Sequence, residues 1–209
     1  MSDTRNLLIE IGTEELPPKA LKRLSDSFTS GIEEGLVKAE LAYGEISSFA
    51  TPRRLALLIE NLVSTQANKE VERRGPAVKA AFDEDGNPTK AAVGFARSCG
   101  TEVDKLETIE TDKGAWLIFN VLQEGQPTTA IIPEIVTESL DRLPIPKRMR
   151  WGSLKSEFVR PVHWLVLLLG DEVIDTEILS VKSGRETRGH RFHHPESIYL
   201  GEPEAYGPI

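Results

Sequence analysis

Apolar residues recur along the chain at helical and strand spacings, and one uninterrupted apolar run lies in the C-terminal half. The run extends from Trp164 to Leu169 and is bounded by Pro161 and by Gly170. This length suits a strand that is buried on both faces better than it suits a helix. A shorter apolar segment, NLLIEI at 6–11, predicts a first strand. We expect the longer run to form a rigid strand that holds the loop before it in place.

A helical spacing of three and four residues begins after Pro17-Pro18. Apolar side chains occupy one face of this expected helix, at Leu21, Leu24, Phe28, Ile32 and Leu36. We expect the helix to run to about Ala42 and to end at Gly44. Two strands, 45–49 and 54–63, follow and flank the turn sequence ATPR. The order strand, helix, strand, strand is typical of an α+β fold.

The remaining segments predict further short elements of both kinds. An exposed turn is expected at 80–86, followed by a helix at 89–98 with Gly100 as its cap and with these residues inward: Ala92, Val93, Phe95 and Ala96. Strands 107–110 and 115–122 are expected to form a hairpin. A helix capped by Thr128 or Thr129 then runs to Arg142, with Pro133 in its first turn, and a last strand is expected at 172–179.

These elements predict an α+β fold built on a mixed, mainly antiparallel sheet with helices packed on it. We expect residues 1–200 to form one α+β region and place a possible sub-boundary at 64–70. Residues 201–209 read as a surface tail or the start of a linker.

The charge balance changes sign just before the long apolar run. The whole chain has a formal net charge of −8, whereas residues 147–160 carry five Lys or Arg against one Glu, a local balance of +4. An acidic protein does not attract nucleic acid through its whole surface, so any such binding must come from a patch. A solvated basic loop before a core strand is the alternative interpretation.

Two adjacent arginine pairs stand beside Gly or Pro, which predicts that both pairs lie on turns. They are Arg53-Arg54 after Pro52 and Arg73-Arg74 before Gly75. Guanidinium groups bind phosphates or carboxylates with a bidentate geometry that lysine lacks. The first pair could instead form ion pairs with Glu14 and Glu15 across the sheet.

Motifs of several enzyme classes are absent from the sequence. There is no GxxxxGK[ST], no GxGxxG after a strand, no HExxH and no GxSxG, which disfavours an autonomous enzyme. His190, His193 and His194 with Glu186 or Glu196 offer metal-ligand chemistry, and a stand-alone metal-dependent hydrolase is the alternative function that they suggest. A charged turn facing water is the other interpretation, because no second cluster completes a four-ligand set.

The single cysteine, Cys99, excludes an intrachain disulfide framework. The sequence MSDTRN lacks the features of a signal peptide, and the longest apolar run is too short to cross a bilayer. We therefore expect a cytoplasmic protein.

Seven segments in order resemble the β subunit of the heterotetrameric bacterial glycyl-tRNA synthetases. They are LLIEIGTEELPP at 7–18, TPRRLA at 51–56, RGP at 74–76, KAAVGFA at 90–96, PKRMRWG at 146–152, FVRPVHW at 158–164 and TRGHRF at 187–192. The family's β subunit is several times longer than this chain, so the resemblance implies an N-terminal fragment. It also implies a fold similar to the B3/B4 editing-type domain.

The resemblance implies a non-catalytic role within an α2β2 complex. In this family the α subunit holds the active site that uses ATP and Mg²⁺ to attach glycine to tRNA, and the β subunit supports tRNA binding and assembly. No cofactor is expected in this chain. The expected contacts to tRNA(Gly) or to the α subunit are Arg53, Arg54, Arg73, Arg74, Lys147, Arg148, Arg150, Trp151, Lys155, Arg160, Arg188, His190 and Arg191.

Overall fold

The computed structural model describes residues 3–112, 114–145, 147–151, 156–189 and 196–206. The helices are α1 (Pro18–Lys38), α2 (Val78–Ala81), α3 (Lys90–Ser98) and α4 (Thr128–Asp141). The strands are β1 (Thr4–Thr13), β2 (Ile46–Thr51), β3 (Arg54–Val63), β4 (Lys69–Ala77), β5 (Glu107–Thr111), β6 (Gly114–Gln123), β7 (Met149–Arg150), β8 (Glu157–Phe158), β9 (Val162–Leu169), β10 (Glu172–Val173), β11 (Glu177–Ile178), β12 (Val181–Gly184), β13 (Glu186–Arg188) and β14 (Ser197–Tyr199). The α+β class expected from the sequence is confirmed.

The chain forms two compact units. The first combines Met1–Gln66 with Gln126–Ile209, and the second is the contiguous segment Ala67–Gly125. The junction after Gln66 falls within the 64–70 range. None of the described helices is long and apolar enough to cross a membrane.

A seven-stranded mixed sheet is the centre of the first unit. Its strands lie in the order β11, β12, β9, β1, β3, β2, and β10 also pairs with β9. Strand β1 pairs antiparallel with β3 on one side and with β9 on the other, whereas β12 runs parallel to β9. The apolar run predicted as a doubly buried strand is β9, which is buried at every position except His163.

Helices α1 and α4 cover one face of the central sheet. Alternate residues of β1, Leu7, Ile9 and Ile11, face these helices and belong to the main apolar core. The two helices approach closely, because a Cβ added at Gly35 of α1 would lie 2.4 Å from Cγ2 of Ile135 of α4. The opposite face carries a smaller core that includes residues from the C-terminal part of the chain.

The first helix ends earlier than the apolar spacing predicted. Its last residue is Lys38, and Glu40 adopts a left-handed conformation with φ of 54°. The N–H groups of Glu40 and Leu41 donate to the carbonyls of Val37 and Leu36, at 3.0 Å each. This is the Schellman arrangement, in which the residue after the left-handed position packs back on the last turn. Leu41 is accordingly buried, so the extension to Ala42 was wrong.

The last long helix also starts differently from the prediction. Pro127, not Thr128 or Thr129, occupies the cap position, and the Thr128 hydroxyl donates 2.5 Å to the carbonyl of Val63 in β3. Pro133 lies in the second turn of α4, where it removes one backbone hydrogen bond. The hydroxyl that was expected to cap the helix therefore bonds to a β3 carbonyl instead.

The second unit has a three-stranded antiparallel sheet in the order β4, β6, β5. The predicted hairpin is β5 and β6, and the predicted 89–98 helix is α3. Gly100 ends α3 with φ of 70°, as expected, and Ala92 and Ala96 are buried. Val93 was expected to face inward, but it is 41% exposed.

The expected strand at 172–179 was wrong in its continuity, because the structure has two separate short strands there, β10 and β11. Part of the segment expected as a surface tail or the start of a linker forms a 3₁₀ turn, Pro203–Tyr206, in which both end residues are buried.

Candidate functional site

Three chain segments meet at one end of the central sheet. They are the segment after β1, the turn between β2 and β3, and the segment before β9. The backbone N–H of Thr13 donates 2.8 Å to the carbonyl of Arg53, and that of Glu14 donates 2.9 Å to the carbonyl of Pro161. Backbone bonds of this kind fix the turns relative to one another, so the side chains on them have defined positions.

Four of the predicted arginines lie at this end, which we call the arginine edge: Arg53, Arg54, Arg160 and Arg188. Arg53 is in the β2–β3 turn, Arg54 begins β3, Arg160 precedes β9 and Arg188 ends β13. Arg54 donates through Nη2 to the carbonyl of Arg188. The structure therefore brings together arginines that are far apart in sequence, the first and last of which, Arg53 and Arg188, are separated by 135 positions.

A buried carboxylate lies behind the arginine edge. Glu10 of β1 is fully buried, and four side chains donate to it. Its Oε1 accepts from Trp164 Nε1 and, at 2.6 Å, from the Thr187 hydroxyl. Its Oε2 accepts from the Tyr206 hydroxyl and, at 3.3 Å, from Arg54 Nη1. We call these five residues the Glu10 cluster. A buried charge costs much free energy unless it is paired and hydrogen-bonded, so losing any of these four donors would destabilise the fold.

Side-chain alternation along β1 explains where the cluster forms. Leu8, Glu10 and Gly12 point away from α1 and α4, towards the smaller core. Gly12 pairs with Arg54 on one side and with Trp164 on the other. A Cβ added at Gly12 would lie 1.9 Å from the Trp164 ring. Glycine at this position therefore lets the indole lie across β1 and reach Glu10.

The Tyr206 hydroxyl is held in its protonated form. Burial raises its pKa well above the ordinary value for tyrosine, and the charge of Glu10 together with the hydrogen bond to Glu10 raises the pKa further. Arg54 opposes this rise only in part. Tyr206 thus stays a hydrogen-bond donor to Glu10 and fastens the C-terminal 3₁₀ turn to the central sheet.

Replacing Tyr206 by phenylalanine is expected to lower the free energy of unfolding by about 1–2 kcal/mol near neutral pH, because Glu10 loses one donor. The raised pKa makes the tyrosine form lose stability as the pH rises above about 10, where the unfolded chain ionises first. The phenylalanine variant should lose less over that range. Urea denaturation at pH 7 and at alkaline pH measures both effects.

Tyr43→Phe is the matched control for Tyr206→Phe. The Tyr43 hydroxyl donates 3.2 Å to Glu33 at the surface, so its removal should change stability little near neutral pH. Slight burial and Glu33 also raise the pKa of Tyr43, but solvent screens this exposed pair, so Tyr43→Phe should reduce the alkaline loss of stability less than Tyr206→Phe does. Equal alkaline slopes for the wild type and Tyr206→Phe would contradict the assignment.

The other arginines of the edge are also engaged by the chain itself. Arg53 Nη2 lies 4.0 Å from Glu14, whose Oε1 is 2.8 Å from His163 Nε2. Arg160 donates 3.1 Å to the carbonyl of Glu15 through Nε. The alternative interpretation, that Arg53 and Arg54 pair with acids across the sheet, is therefore correct in kind, with Glu14 and Glu10 as the partners rather than Glu14 and Glu15.

The basic loop contains a short hairpin, β7 with β8, which the sequence did not predict. Arg150 donates 2.7 Å to Glu157 across the hairpin, with the two side chains 62% and 41% exposed. Arg148 lies 3.8 Å from Asp141 and also donates 2.6 Å to the Asp141 carbonyl. Lys147 is exposed. We call the segment 147–150, with its cations Lys147, Arg148 and Arg150, the basic hairpin. Through Met149 it contacts the arginine edge, because Met149 Sδ lies 3.0 Å from Nη1 of Arg160.

Aromatic side chains at this end of the sheet are partly committed to packing. Trp151 is half-buried against the main core, so part of its surface is already used. The guanidinium carbon of Arg188 lies 5.5 Å from the centre of the Trp164 ring, a cation–π contact. Arg188 is exposed, and its charge therefore faces water.

The second arginine pair was wrongly expected on a turn. Arg73 and Arg74 lie inside strand β4 of the second unit, pairing with β6. Arg73 donates 3.3 Å to the carbonyl of Ser98, and the Arg74 guanidinium carbon lies 4.2 Å from the centre of the Trp116 ring. Gly75 serves close packing on Phe95 rather than a turn, because an added Cβ would lie 2.5 Å from that ring.

Three predicted binding residues, Lys155, His190 and Arg191, lie outside the described residues, as do His193 and His194. Among the residues that the structure describes, no group of three or more His, Cys, Asp or Glu side chains is arranged to hold a metal ion.

Sequence reasoning missed the Glu10 cluster. The signal available was Glu10 itself, a single acidic residue inside the apolar segment NLLIEI. A charge at an inward position of a buried strand requires a partner. The sequence indicates that Glu10 needs a partner, but Tyr206 and Thr187 lie too far along the chain to be identified as the partners of Glu10.

Comparison with known proteins identifies the family. The family model described as glycyl-tRNA synthetase beta subunit matches residues 7–208. A protein of Marinobacter nauticus named glycine–tRNA ligase beta subunit is 57% identical over 203 residues, covering 97% of this chain and 29% of that protein. Proteins of the same name from Hahella chejuensis and Azotobacter vinelandii are 57% and 52% identical over 202 residues, with the same coverage. The chain spans about 29% of the length of these relatives. It belongs to the glycyl-tRNA synthetase beta subunit family.

Proposed function

We propose that this chain is a non-catalytic part of a glycyl-tRNA synthetase beta subunit, which helps to bind tRNA(Gly) and to assemble with the alpha subunit in an α2β2 enzyme. The observation that carries the proposal is the family match over residues 7–208. In this proposal the alpha subunit binds ATP and Mg²⁺ and performs the attachment of glycine.

Among the residues that the structure describes, the basic hairpin is best suited to contact tRNA phosphates. Its ion pair between Arg150 and Glu157 is largely exposed, and exposed pairs contribute only about 0–1 kcal/mol. A phosphate can replace Glu157 as the partner of Arg150 at little cost in folding energy. Lys147 and Arg148 add positive charge beside it, and Arg160 and Arg188 extend that charge along the arginine edge.

Arg54 has a different role in this proposal. Its side chain is 21% exposed, and it is bonded both to the fully buried Glu10 and to the Arg188 carbonyl. Releasing it would leave Glu10 with an unpaired buried charge, which costs several kcal/mol. Arg54 therefore positions Arg188 and does not itself bind phosphate.

Replacing Arg148 and Arg150 together by alanine is expected to weaken tRNA binding by the assembled enzyme and to flatten its salt dependence. The slope of log K against log salt should fall by about one for each phosphate contact that is lost. The measurement is a salt titration of tRNA(Gly) binding to complexes of the beta and alpha subunits.

Arg5→Ala provides the matched control for this titration. Arg5 is a half-buried arginine at the opposite end of β1, where it lies 3.4 Å from Asp3. Its removal should leave the slope unchanged. An unchanged slope for the double variant, with reduced recovery of the alpha subunit in a pull-down, would assign the basic hairpin to subunit assembly instead.

A further inference from the structure

Strand β2 forms an open edge of the central sheet. It pairs with β3 and lies at the end of the strand order, so its other side has no strand partner among the described residues. Residues Ser48, Phe49, Ala50 and Thr51 are exposed. An open edge presents unpaired N–H and C=O groups that can pair with another strand.

The register with β3 shows which backbone groups of β2 point outward. Thr51 pairs with Arg54 across the two-residue turn, and the N–H of Glu60 donates 2.9 Å to the carbonyl of Glu45. Hydrogen-bonded and non-bonded pairs alternate in an antiparallel ladder. Glu45, Ser47, Phe49 and Thr51 therefore direct their backbone groups to β3. The outward groups belong to the alternate residues Ile46, Ser48 and Ala50.

The composition of β2 differs from that of the other sheet edges that the structure describes. Its sequence, ISSFAT, has no charged residue and no proline. In the second unit, edge strand β4 (KEVERRGPA) carries charges and Pro76, and edge strand β5 (ETIET) carries two glutamates. At the other end of the central sheet, β11 has only two residues. Charges, proline and short length are the usual protection against edge pairing, and β2 has none of them.

An apolar side chain also lies exposed on this strand. Phe49 is 38% exposed, and its ring meets that of Tyr206 edge to face, with centroids 5.7 Å apart. A strand added beside β2 would direct every second side chain to the face that carries Phe49 and the Glu10 cluster, and one of these side chains would lie next to Phe49. An apolar residue there would complete the cover of Phe49.

The size of the edge indicates what occupies it. Stable interfaces between separate molecules use roughly 20–30 residues on each side, whereas β2 has six. A strand in the same polypeptide needs much less area, because tethering raises its effective concentration to about the millimolar range. The chain spans about 29% of the length of its relatives, so most of a family subunit lies outside the matched region.

We propose that β2 is the docking edge for a strand supplied by the part of the subunit outside these 209 residues, which extends the central sheet by one strand. The proposal rests on family membership and on the sheet, not on tRNA binding.

Site-resolved hydrogen exchange tests the proposal within one strand. Two proteins are compared: the 209-residue chain, and a full-length family subunit in which the matched region has this sequence. In the shorter chain the amides of Ser47, Phe49 and Thr51 should be protected, while those of Ser48 and Ala50 exchange freely. In the full-length subunit the amides of Ser48 and Ala50 should also be protected, with exchange at least about tenfold slower.

A proline substitution gives an independent readout. Ser48→Pro removes only an outward N–H, which edge strands tolerate, so it should change the melting temperature of the 209-residue chain little. In the full-length subunit it should lower the melting temperature. Ser47→Pro, which removes an N–H bonded to β3, is the matched control and should destabilise both proteins.

Three results would overturn the proposal. Free exchange of Ser48 and Ala50 in the full-length subunit would show that no strand docks there. Protection that appears in the 209-residue chain and grows with protein concentration would show pairing between two copies. Protection that appears only after the alpha subunit is added would show that the strand comes from the partner.

Discussion

Replacing Glu10 by alanine is expected to lower the free energy of unfolding by about 4 kcal/mol. The substitution removes the carboxylate from Arg54 and leaves the donors of Trp164, Thr187 and Tyr206 without their acceptor. Removing one partner of a buried ion pair typically costs about 3–5 kcal/mol. Urea denaturation measures the change, and native-state hydrogen exchange at the β1 amides reports on the first unit alone.

Glu14→Ala is the matched control for Glu10→Ala. Glu14 is also a glutamate of the segment that begins with β1, and it also lies beside an arginine, but its side chain is 43% exposed. Its loss should cost no more than about 1 kcal/mol. A loss of that size for Glu10→Ala would show that the cluster contributes little to stability.

Replacing Gly12 by alanine should destabilise the first unit by a similar amount, about 4 kcal/mol. The added Cβ would overlap the Trp164 ring, with three ring atoms within 2.4 Å, so the indole must move. Overpacking costs about 1–3 kcal/mol, and moving the indole also breaks its hydrogen bond to Glu10. The same unfolding and exchange measurements apply, and the fluorescence of Trp164 should change as well.

Gly184→Ala tests whether the effect depends on position. Gly184 is also a glycine in a strand of the central sheet, but no atom lies within 4 Å of an added Cβ. Alanine there should be neutral or slightly stabilising. If Gly12→Ala were equally neutral, the close approach of Trp164 to β1 would be incorrect.

The sequence predicted the elements whose spacing reflects burial. Strand β9 was identifiable because it is buried on both faces, and α1 because its apolar residues fall on one side of a helix. The hairpin of β5 and β6 was marked by Gly114 in its turn. In these cases the local pattern and the tertiary packing agree, so a local argument was sufficient.

Predictions failed where a partner distant in sequence decided the outcome. Thr128 bonds to Val63 instead of capping α4, and Arg73 and Arg74 are held in a strand by pairing with β6. The 3₁₀ turn Pro203–Tyr206 packs on the central sheet because the Tyr206 hydroxyl donates to Glu10. Sequence spacing does not encode these contacts, since each depends on which segments the sheet brings together.

The candidate site was predicted in its parts but not in its arrangement. The sequence indicated Arg53, Arg54, Arg160 and Arg188 separately, and their placement at one end of the central sheet follows only from the pairing of β1 with both β3 and β9. Of the two acids that pair with Arg53 and Arg54, the sequence suggested Glu14 but not Glu10. Net positive charge along 147–160 therefore overstated how many cations are free to bind a partner.

The discontinuity of the first unit sets an order for folding during synthesis. Strand β1 gains β3 as a neighbour early, but its other neighbour, β9, leaves the ribosome only after the whole of Ala67–Gly125 has been made. That intervening segment contains all three strands of its own sheet and can complete it first. Until β9 has been synthesised, the nascent β1 has an open edge that can pair with another chain, and Glu10 lacks the hydrogen bond from Trp164.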